Sequence, residues 1–266
     1  MKRSFSEGDL SKPLSIRPSS DYEVPENDDD DYYMYISKMD VEYLAGYDRQ
    51  FRVNYKGKEC LVEFYDNPTH LEVIDRLKGH KEFTQLIDCQ AVTPYGSITK
   101  YAIITPLYEA EDPPKHEIPY YTKKLIQAVQ KLRRRKVLVR SMAPEFIVCR
   151  DGEVTIFNFD DALDLKKVHD PADLEWDDDY APPEHHDGRY DDADRWCIGY
   201  TLGRWLTDQD IGEFDIKETY ESTRKDKKLG KLEKEGFNLM RKLCRENPDK
   251  RISLEDALKH PFLTMS

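Results

Sequence analysis

Apolar residues between positions 32 and 107 come in short runs that are rich in β-branched and aromatic side chains. The clearest runs lie at 60–65 and 98–105. The second of them alternates between apolar and polar residues and then becomes continuously apolar. Alternation of this kind is typical of a strand in a partly covered sheet. This part of the chain is therefore predicted to be rich in β-strands.

The apolar pattern changes after position 113, where apolar residues recur at three- and four-residue intervals. Tyr121, Leu125, Val129 and Leu132 follow this spacing, which predicts a helix with one buried face. Two short strands joined by a turn, and then three more helices, are predicted to follow. These elements lie at 146–149, 154–157, 196–206, 232–244 and 253–260, and Pro261 is predicted to end the last one. A small β-rich part before a larger helical part predicts an α+β, two-lobed fold.

Composition narrows the class of protein. The chain has 266 residues, of which 35% are charged, and a formal net charge of -12, so nonspecific nucleic-acid binding is not expected. No apolar run is long enough to cross a membrane, and no secretory signal is recognisable at the start. Five widely spaced cysteines without a CxxC pair favour a reducing compartment over a disulfide scaffold or a zinc module. We expect a cytoplasmic protein, with the nucleus as the alternative compartment.

The charge is concentrated near the start of the chain. Residues 21–31 include seven acidic side chains and no basic one. Such a segment buries too little apolar surface to offset its conformational entropy, so residues 1–31 are predicted to form a disordered acidic tail. The predicted lobes then cover residues 32–107 and 108–266.

Five short motifs in the second part of the chain resemble those of eukaryotic protein kinases. VRSMAPEFIV at 139–148 resembles the catalytic loop H-R-D-L-K-P-E-N, NFD at 158–160 resembles D-F-G, and YAPPE at 180–184 resembles A-P-E. DRWCIG at 194–199 resembles D-x-W-S-x-G, and NPDKR at 247–251 followed by ALKHPF at 257–262 resembles the last kinase subdomain. Each motif is weak alone, but their order and intervals imply a kinase-like fold with a reduced N-lobe and a helical C-lobe.

The catalytic loop departs from that family pattern at the positions that carry the chemistry. Ser141 stands where kinases have the Asp that accepts the substrate proton, and Ala143 replaces the Lys two residues later. Phe146 replaces the Asn that binds the second magnesium ion. Asn158 replaces the magnesium-binding Asp, and a neutral amide is a poorer ligand for a hard cation.

The N-lobe departs from the pattern as well. The alignment places Glu63 where kinases have the phosphate-binding Lys, and His70 where they have its Glu partner. The two positions are only seven residues apart, which is too few for the usual loop and full helix, so a truncated helix is expected, with Glu63 and His70 as a reversed pair. Residues 43–58 contain no glycine-rich loop through which backbone amides could approach phosphates.

The residues that the resemblance assigns to structure are kept. Glu184 and Arg251 match the buried ion pair that anchors the activation segment, and Asp194 matches the residue that holds the catalytic-loop backbone. Arg140 matches the arginine that often contacts a phosphorylated activation loop. The acidic run 170–179 is either a built-in substitute for that phosphate or a solvated charge run.

The resemblance and its departures together predict a pseudokinase: no catalytic residue, no cofactor and no metal. The expected partner is a protein, such as an active kinase or its substrate, bound by a scaffold, allosteric regulator or decoy. Nucleic acid and membrane are not expected partners. The acidic run 170–179 and the basic run 133–136 are the candidate binding surfaces. Two alternatives stay open: a divergent Ser/Thr kinase or ATPase with compensating residues, and a nucleotide-binding switch without transfer activity.

Overall fold

The computed structural model describes residues 30–47, 50–66, 69–94, 98–140, 142–159, 162–167, 181–187, 192–207, 216–225 and 228–264. The chain divides into two compact units. The first contains the residues up to 79 together with 85–107, and the second contains 80–84 and 108–266. No helix in the described ranges is long and apolar enough to cross a membrane.

The first unit is built on a five-stranded antiparallel sheet with the order β1-β2-β3-β5-β4. Its elements are α1 (Asp30–Ile36), β1 (Glu42–Tyr47), β2 (Gln50–Tyr55), β3 (Lys58–Tyr65), α2 (Thr69–Arg76), β4 (Asp88–Val92) and β5 (Lys100–Pro106). The strands predicted at 60–65 and 98–105 are confirmed as β3 and β5. Lys56 and Gly57 both have positive φ, which suits the tight turn between β2 and β3. The sequence predicts a reduced N-lobe. Among the described residues, the helix α2 is short, with eight residues, whereas the sheet has five strands.

The core of the first unit includes a helix that the sequence did not predict. Tyr35, Ile36 and Met39 pack with Phe51 and Phe64, and all five are buried. The helix α1 begins at Asp30 and so includes the last two residues of the predicted disordered tail 1–31, whereas residues 1–29 lie outside the described part of the chain. The helix was not predicted because its apolar residues directly follow the acidic run. These apolar residues pack on the sheet and so stabilise the short helix.

The second unit is mainly helical, as predicted. Its elements are α3 (Ile118–Arg134), β6 (Val137–Leu138), β7 (Ile147–Arg150), β8 (Glu153–Ile156), β9 (Leu163–Asp164), α4 (Ala193–Thr207), α5 (Ile216–Lys225), α6 (Lys231–Leu243), α7 (Leu254–Ala257) and α8 (Pro261–Thr264). The strand β6 pairs with β9, and β7 pairs with β8 through a turn at Asp151–Gly152. The predicted helices within 113–134, 196–206 and 232–244 are confirmed as α3, α4 and α6.

The end of the chain differs in detail from the prediction. Ser253 caps α7, because its hydroxyl oxygen accepts the backbone N–H of Asp256 at 3.0 Å. The helix predicted over 253–260 ends at Ala257, and Pro261 starts α8 instead of only ending the helix before it. Proline suits this place because the first turn of a helix leaves its N–H groups without intrahelical partners.

A buried histidine in this region gives the protein a dependence on pH. His260 is buried. Its Nδ1 accepts the backbone N–H of Phe262 at 3.3 Å, and its Nε2 lies 3.0 Å from Asn238 Oδ1 and 3.2 Å from Lys242 Nζ. Burial, and then the charge of Lys242, hold the pKa of His260 below its ordinary value, whereas Glu235 acts in the opposite direction.

We expect the free energy of unfolding to fall as the pH is lowered through about 6.5, the ordinary pKa of histidine. Below this pH the unfolded chain takes up a proton at position 260 that the folded protein resists, so protonation favours unfolding. Urea unfolding at pH 7.5 and at pH 5.5 measures the loss. His260→Gln should reduce the difference between the two pH values, whereas His116→Gln, at an exposed position, should keep it. An unchanged difference in His260→Gln would contradict the expectation.

Candidate functional site

Two side chains of α4 form hydrogen bonds with the backbone of the segment that resembles the catalytic loop. The Thr201 hydroxyl donates to the backbone carbonyl of Met142 at 2.6 Å, and the Cys197 thiol donates to the carbonyl of Arg140 at 3.6 Å. Arg140, Met142 and Ala143 are buried, and Ser141 lies outside the described residues. The backbone is thus held in place, while Ala143 offers only a methyl group to any chemistry.

An aromatic cluster occupies the position that the resemblance assigns to a metal ligand. Phe146, in the 3₁₀ turn before β7, packs edge-on against Phe157 with ring centroids 6.4 Å apart. Tyr108 stacks on Phe157 with centroids 5.5 Å apart and ring planes 18° apart. Burial raises the pKa of the Tyr108 hydroxyl, which therefore stays neutral near pH 7. Phe146, at the position of the metal-binding Asn, therefore offers only carbon atoms to a cation. Phe146, Phe157 and Tyr108 are called the aromatic cluster hereafter.

The segment directly after β8 is described only as far as Phe159, and this part of it contains no acidic side chain. Asn158 is half-buried, and the following Phe159 is buried against Phe83 with ring centroids 6.1 Å apart. Asp160 and Asp161 lie outside the described residues. Within the ranges that the structure describes, no group of three or more His, Cys, Asp or Glu side chains could hold a metal ion.

In the first unit, Glu63 lies on β3, facing Gln50 on β2 and Ile103 on β5. Its side chain is buried, and one carboxylate oxygen accepts the Gln50 amide N–H at 2.8 Å. The predicted truncation of the following helix is confirmed, since α2 has eight residues. His70 is on α2, but its side chain lies outside the described residues, so its pairing with Glu63 stays a prediction.

Glu184 and Arg251 come together as a buried ion pair. Arg251 Nη1 and Nη2 donate to the two carboxylate oxygens of Glu184, each at 2.5 Å, and the side chains are 0% and 4% exposed. Arg251 also donates to the backbone carbonyls of Arg245 and Asp192 at 2.9 and 3.0 Å, and it lies over the Trp196 ring. One guanidinium therefore joins four segments of the second unit.

Asp194 has an ion-pair partner that the sequence did not predict. Its carboxylate accepts two N–H groups of Arg133 at the end of α3, the bond from Nη2 measuring 2.8 Å, and Arg133 also pairs with Asp192. Arg135 donates to the carbonyl of Lys131 and contacts the His80 ring.

The structure divides the basic run 133–136, which was predicted as a candidate binding surface. Two of its four cations, Arg133 and Arg135, bind within the fold, whereas Arg134 and Lys136 are exposed. Arg133 and Arg134 are consecutive residues at the end of α3 and therefore lie on different faces of the helix, whereas Arg135 and Lys136 follow its last residue. Sequence reasoning treated the run as one patch and missed this division.

The cysteines show no sign of an activated nucleophile. All five are free, and Cys60, Cys149, Cys197 and Cys244 are buried, which raises the pKa of each thiol. Cys89 is half-buried, and burial raises its pKa to about 11. Because the thiolate is the nucleophile, thiols with raised pKa values are unreactive near pH 7.

Comparison with known proteins agrees with the motifs. The protein kinase domain family matches residues 63–263, and α1, β1 and β2 precede the match. Among curated proteins the chain is similar to Aurora kinase A-A and Aurora kinase A-B of Xenopus laevis, with 30% identity to each over 159 residues. This alignment covers 54% of the present chain and 36% of each relative, so it spans about a third of their length. The five motifs, the α+β architecture and the match of the protein kinase domain family to residues 63–263 show that the chain belongs to the protein kinase family.

Proposed function

We propose that this protein is a pseudokinase that acts by binding another protein, as a scaffold, an allosteric regulator or a decoy of an active kinase. The observation that carries the proposal is the aromatic cluster. Phosphoryl transfer depends on metal ions that bridge the phosphates, and the catalytic-loop Asn is one of their ligands in kinases. Here the side chain at that position, Phe146, packs on Phe157 and has no donor atom.

The other departures act in the same direction. A carboxylate at Glu63 repels the phosphates that a lysine would attract, and Asn158 is a neutral group at the position of the metal-binding Asp. Loss of a general base alone usually costs about 10²- to 10⁴-fold in rate. Positioning and charge neutralisation supply most of the remaining catalysis, and they depend on the replaced groups.

The fold has kept what a binding protein needs. The Glu184–Arg251 pair and the bonds from α4 to the 140–142 backbone hold the second unit in shape without contributing to phosphoryl transfer. The groups that stabilise the second unit are thus kept, whereas the groups that would carry the chemistry are replaced. This combination supports a noncatalytic role over a divergent enzyme.

Millimolar Mg-ATP is expected to leave the melting temperature unchanged, because the groups that would hold phosphates and metal are replaced. For comparison, a ligand present at 100 times its dissociation constant stabilises a protein by about 2.7 kcal/mol. Differential scanning fluorimetry with and without Mg-ATP measures the shift, and an active protein kinase in the same assay is the positive control. Restoring single positions, by Phe146→Asn or Asn158→Asp, should not create phosphotransfer.

Two results would contradict the proposal. The first is a clear rise in melting temperature with Mg-ATP, which would favour a nucleotide-binding switch. The second is transfer of radiolabelled phosphate by the wild-type protein to itself or to a generic substrate, abolished by Ser141→Ala or Asn158→Ala. That result would favour the divergent kinase.

A further inference from the structure

The second unit contains a groove that the proposed function has not used. It has a volume of about 660 Å³ and lies among α4, α5, the end of α6 and the loop that follows α6. Trp196 and Tyr200, one turn apart on α4, line it together with Tyr220 on α5. Arg241 lies over the Tyr220 ring at 4.5 Å and donates to its hydroxyl at 3.1 Å, so this ring is held in place.

Exposed cations surround these rings. Lys217 on α5, Arg245 after α6 and Lys250 in the next turn all line the groove, and none of the three has an ion-pair partner among the residues that the structure describes. Two glutamates, Glu221 and Glu246, also line it. With Arg241 the lining carries four positive and two negative side chains, whereas the chain as a whole has a net charge of -12.

The groove is braced by the Arg251 guanidinium. Arg251 Nε donates to the carbonyl of Arg245 at 2.9 Å, and its guanidinium carbon lies 5.2 Å from the centre of the Trp196 ring. The same side chain is locked to Glu184. The backbone at Arg245 and the Trp196 ring are therefore both contacted by one buried group. A preformed site loses less conformational entropy on binding than one that must first be ordered.

We propose that this groove docks an acidic segment of a partner protein that carries an aromatic anchor residue. The half-buried rings of Trp196 and Tyr220 accept an aromatic side chain, which buries a large apolar area at low entropic cost, and Tyr200 lines the groove beside them as a buried ring. The three rim cations attract carboxylates on either side of the anchor and steer the encounter. The proposal deepens the proposed function, on which it rests for its biological meaning, because it names the chemistry of the bound protein.

The chain itself carries an acidic segment with the charge to compete for the groove. The acidic run 170–179 lies outside the described residues, and it ends two residues before Ala181, which lines the groove. If this run bound to the rim cations, it would occupy the groove in place of a partner protein. The experiment therefore includes a variant in which Asp177, Asp178 and Asp179 are changed to asparagine.

The test is fluorescence anisotropy of the full chain with a fluorescein-labelled peptide of twelve residues, in which Asp and Glu surround a central Trp. The expected result is saturable binding that weakens as salt is raised, and that weakens at least tenfold when Trp is replaced by Ala in the peptide. The variant Lys217→Ala/Arg245→Ala/Lys250→Ala should also bind at least tenfold more weakly. The matched control, Lys123→Ala/Lys166→Ala/Lys234→Ala, removes three exposed cations elsewhere and should bind like the wild type.

Equal binding by the rim variant and the wild type, with an unchanged melting temperature, would overturn the proposal. So would equal binding of a control peptide in which Lys and Arg replace Asp and Glu. Peptide binding by the Asp177→Asn/Asp178→Asn/Asp179→Asn variant without any binding by the wild type would assign the groove to the chain's own acidic run and overturn the proposal. Because no nucleotide is present, a failure here is distinct from the Mg-ATP shift that would refute the pseudokinase proposal.

Discussion

Arg251→Ala is expected to lower the free energy of unfolding by about 3–5 kcal/mol, the range found when one partner of a buried ion pair is removed. The loss is large because the Glu184 carboxylate, 4% exposed in the pair, would be left without its charged partner and away from water. The backbone carbonyls of Arg245 and Asp192 would also each lose a donor.

Urea unfolding followed by circular dichroism measures this loss. Lys259→Ala is the matched control, since Lys259 belongs to the exposed pair with Asp256, and its stability should equal that of the wild type within error. Removing both charges, in Glu184→Leu/Arg251→Met, should cost less than Arg251→Ala because no buried charge remains. A loss below about 1 kcal/mol in Arg251→Ala would show that the pair does not carry the stability assigned to it.

Gly199→Ala is expected to destabilise the protein by about 1–3 kcal/mol, the usual cost of overpacking a core. A Cβ atom at this position of α4 would meet Leu243 Cβ at 2.9 Å and the backbone carbonyl of Met240 at 3.2 Å, and it would collide with Cys244 Sγ. Two of these atoms belong to the backbone of α6 or are attached directly to it, so the clash cannot be relieved by a side-chain rotation alone.

Without the clash, replacing glycine by alanine inside a helix would raise the free energy of unfolding by about 1 kcal/mol through helix propensity. The sign of the measured change in stability therefore decides whether the clash occurs. Thermal unfolding gives that sign. The double variant Gly199→Ala/Cys244→Ala should recover part of the loss relative to Cys244→Ala alone, because the colliding sulfur is gone. A stabilised Gly199→Ala variant would mean that α4 and α6 pack less closely than described.

Several features of the second unit could be predicted because they depend on local pattern. The spacing of Tyr121, Leu125, Val129 and Leu132 indicates α3 directly, and Ser253 indicates the cap of α7. The Glu184–Arg251 pair joins residues 67 positions apart, and only the motifs on either side of it made it predictable. Contacts without such motifs, including Arg133 with Asp194 and Tyr108 with Phe157, depend on tertiary packing that no local pattern encodes.

The missed elements have physical reasons as well. The helix α1 has seven residues, and helices this short are stable only through the packing of one face. The helix α5 is mostly polar, and Ile216 and Tyr220 are its only large apolar or aromatic side chains, so no long apolar face indicates it in the sequence. The strand β1 contains an irregularity between Tyr43 and Ala45 that interrupts alternation. The strand β2 does alternate, with Phe51, Val53 and Tyr55 buried, and this signal was available in the sequence.

The eight-residue α2 has a consequence for how a partner could act on the first unit. A helix of this length is about 12 Å long. Activators of protein kinases commonly move a helix of the N-lobe until its glutamate forms an ion pair with the lysine of β3. Here β3 carries Glu63, whose carboxylate accepts from Gln50 on the neighbouring strand of the same sheet. A protein that bound this unit could not act by closing such a Glu–Lys pair. We therefore expect the unit to serve as a rigid binding surface and not as a two-state switch.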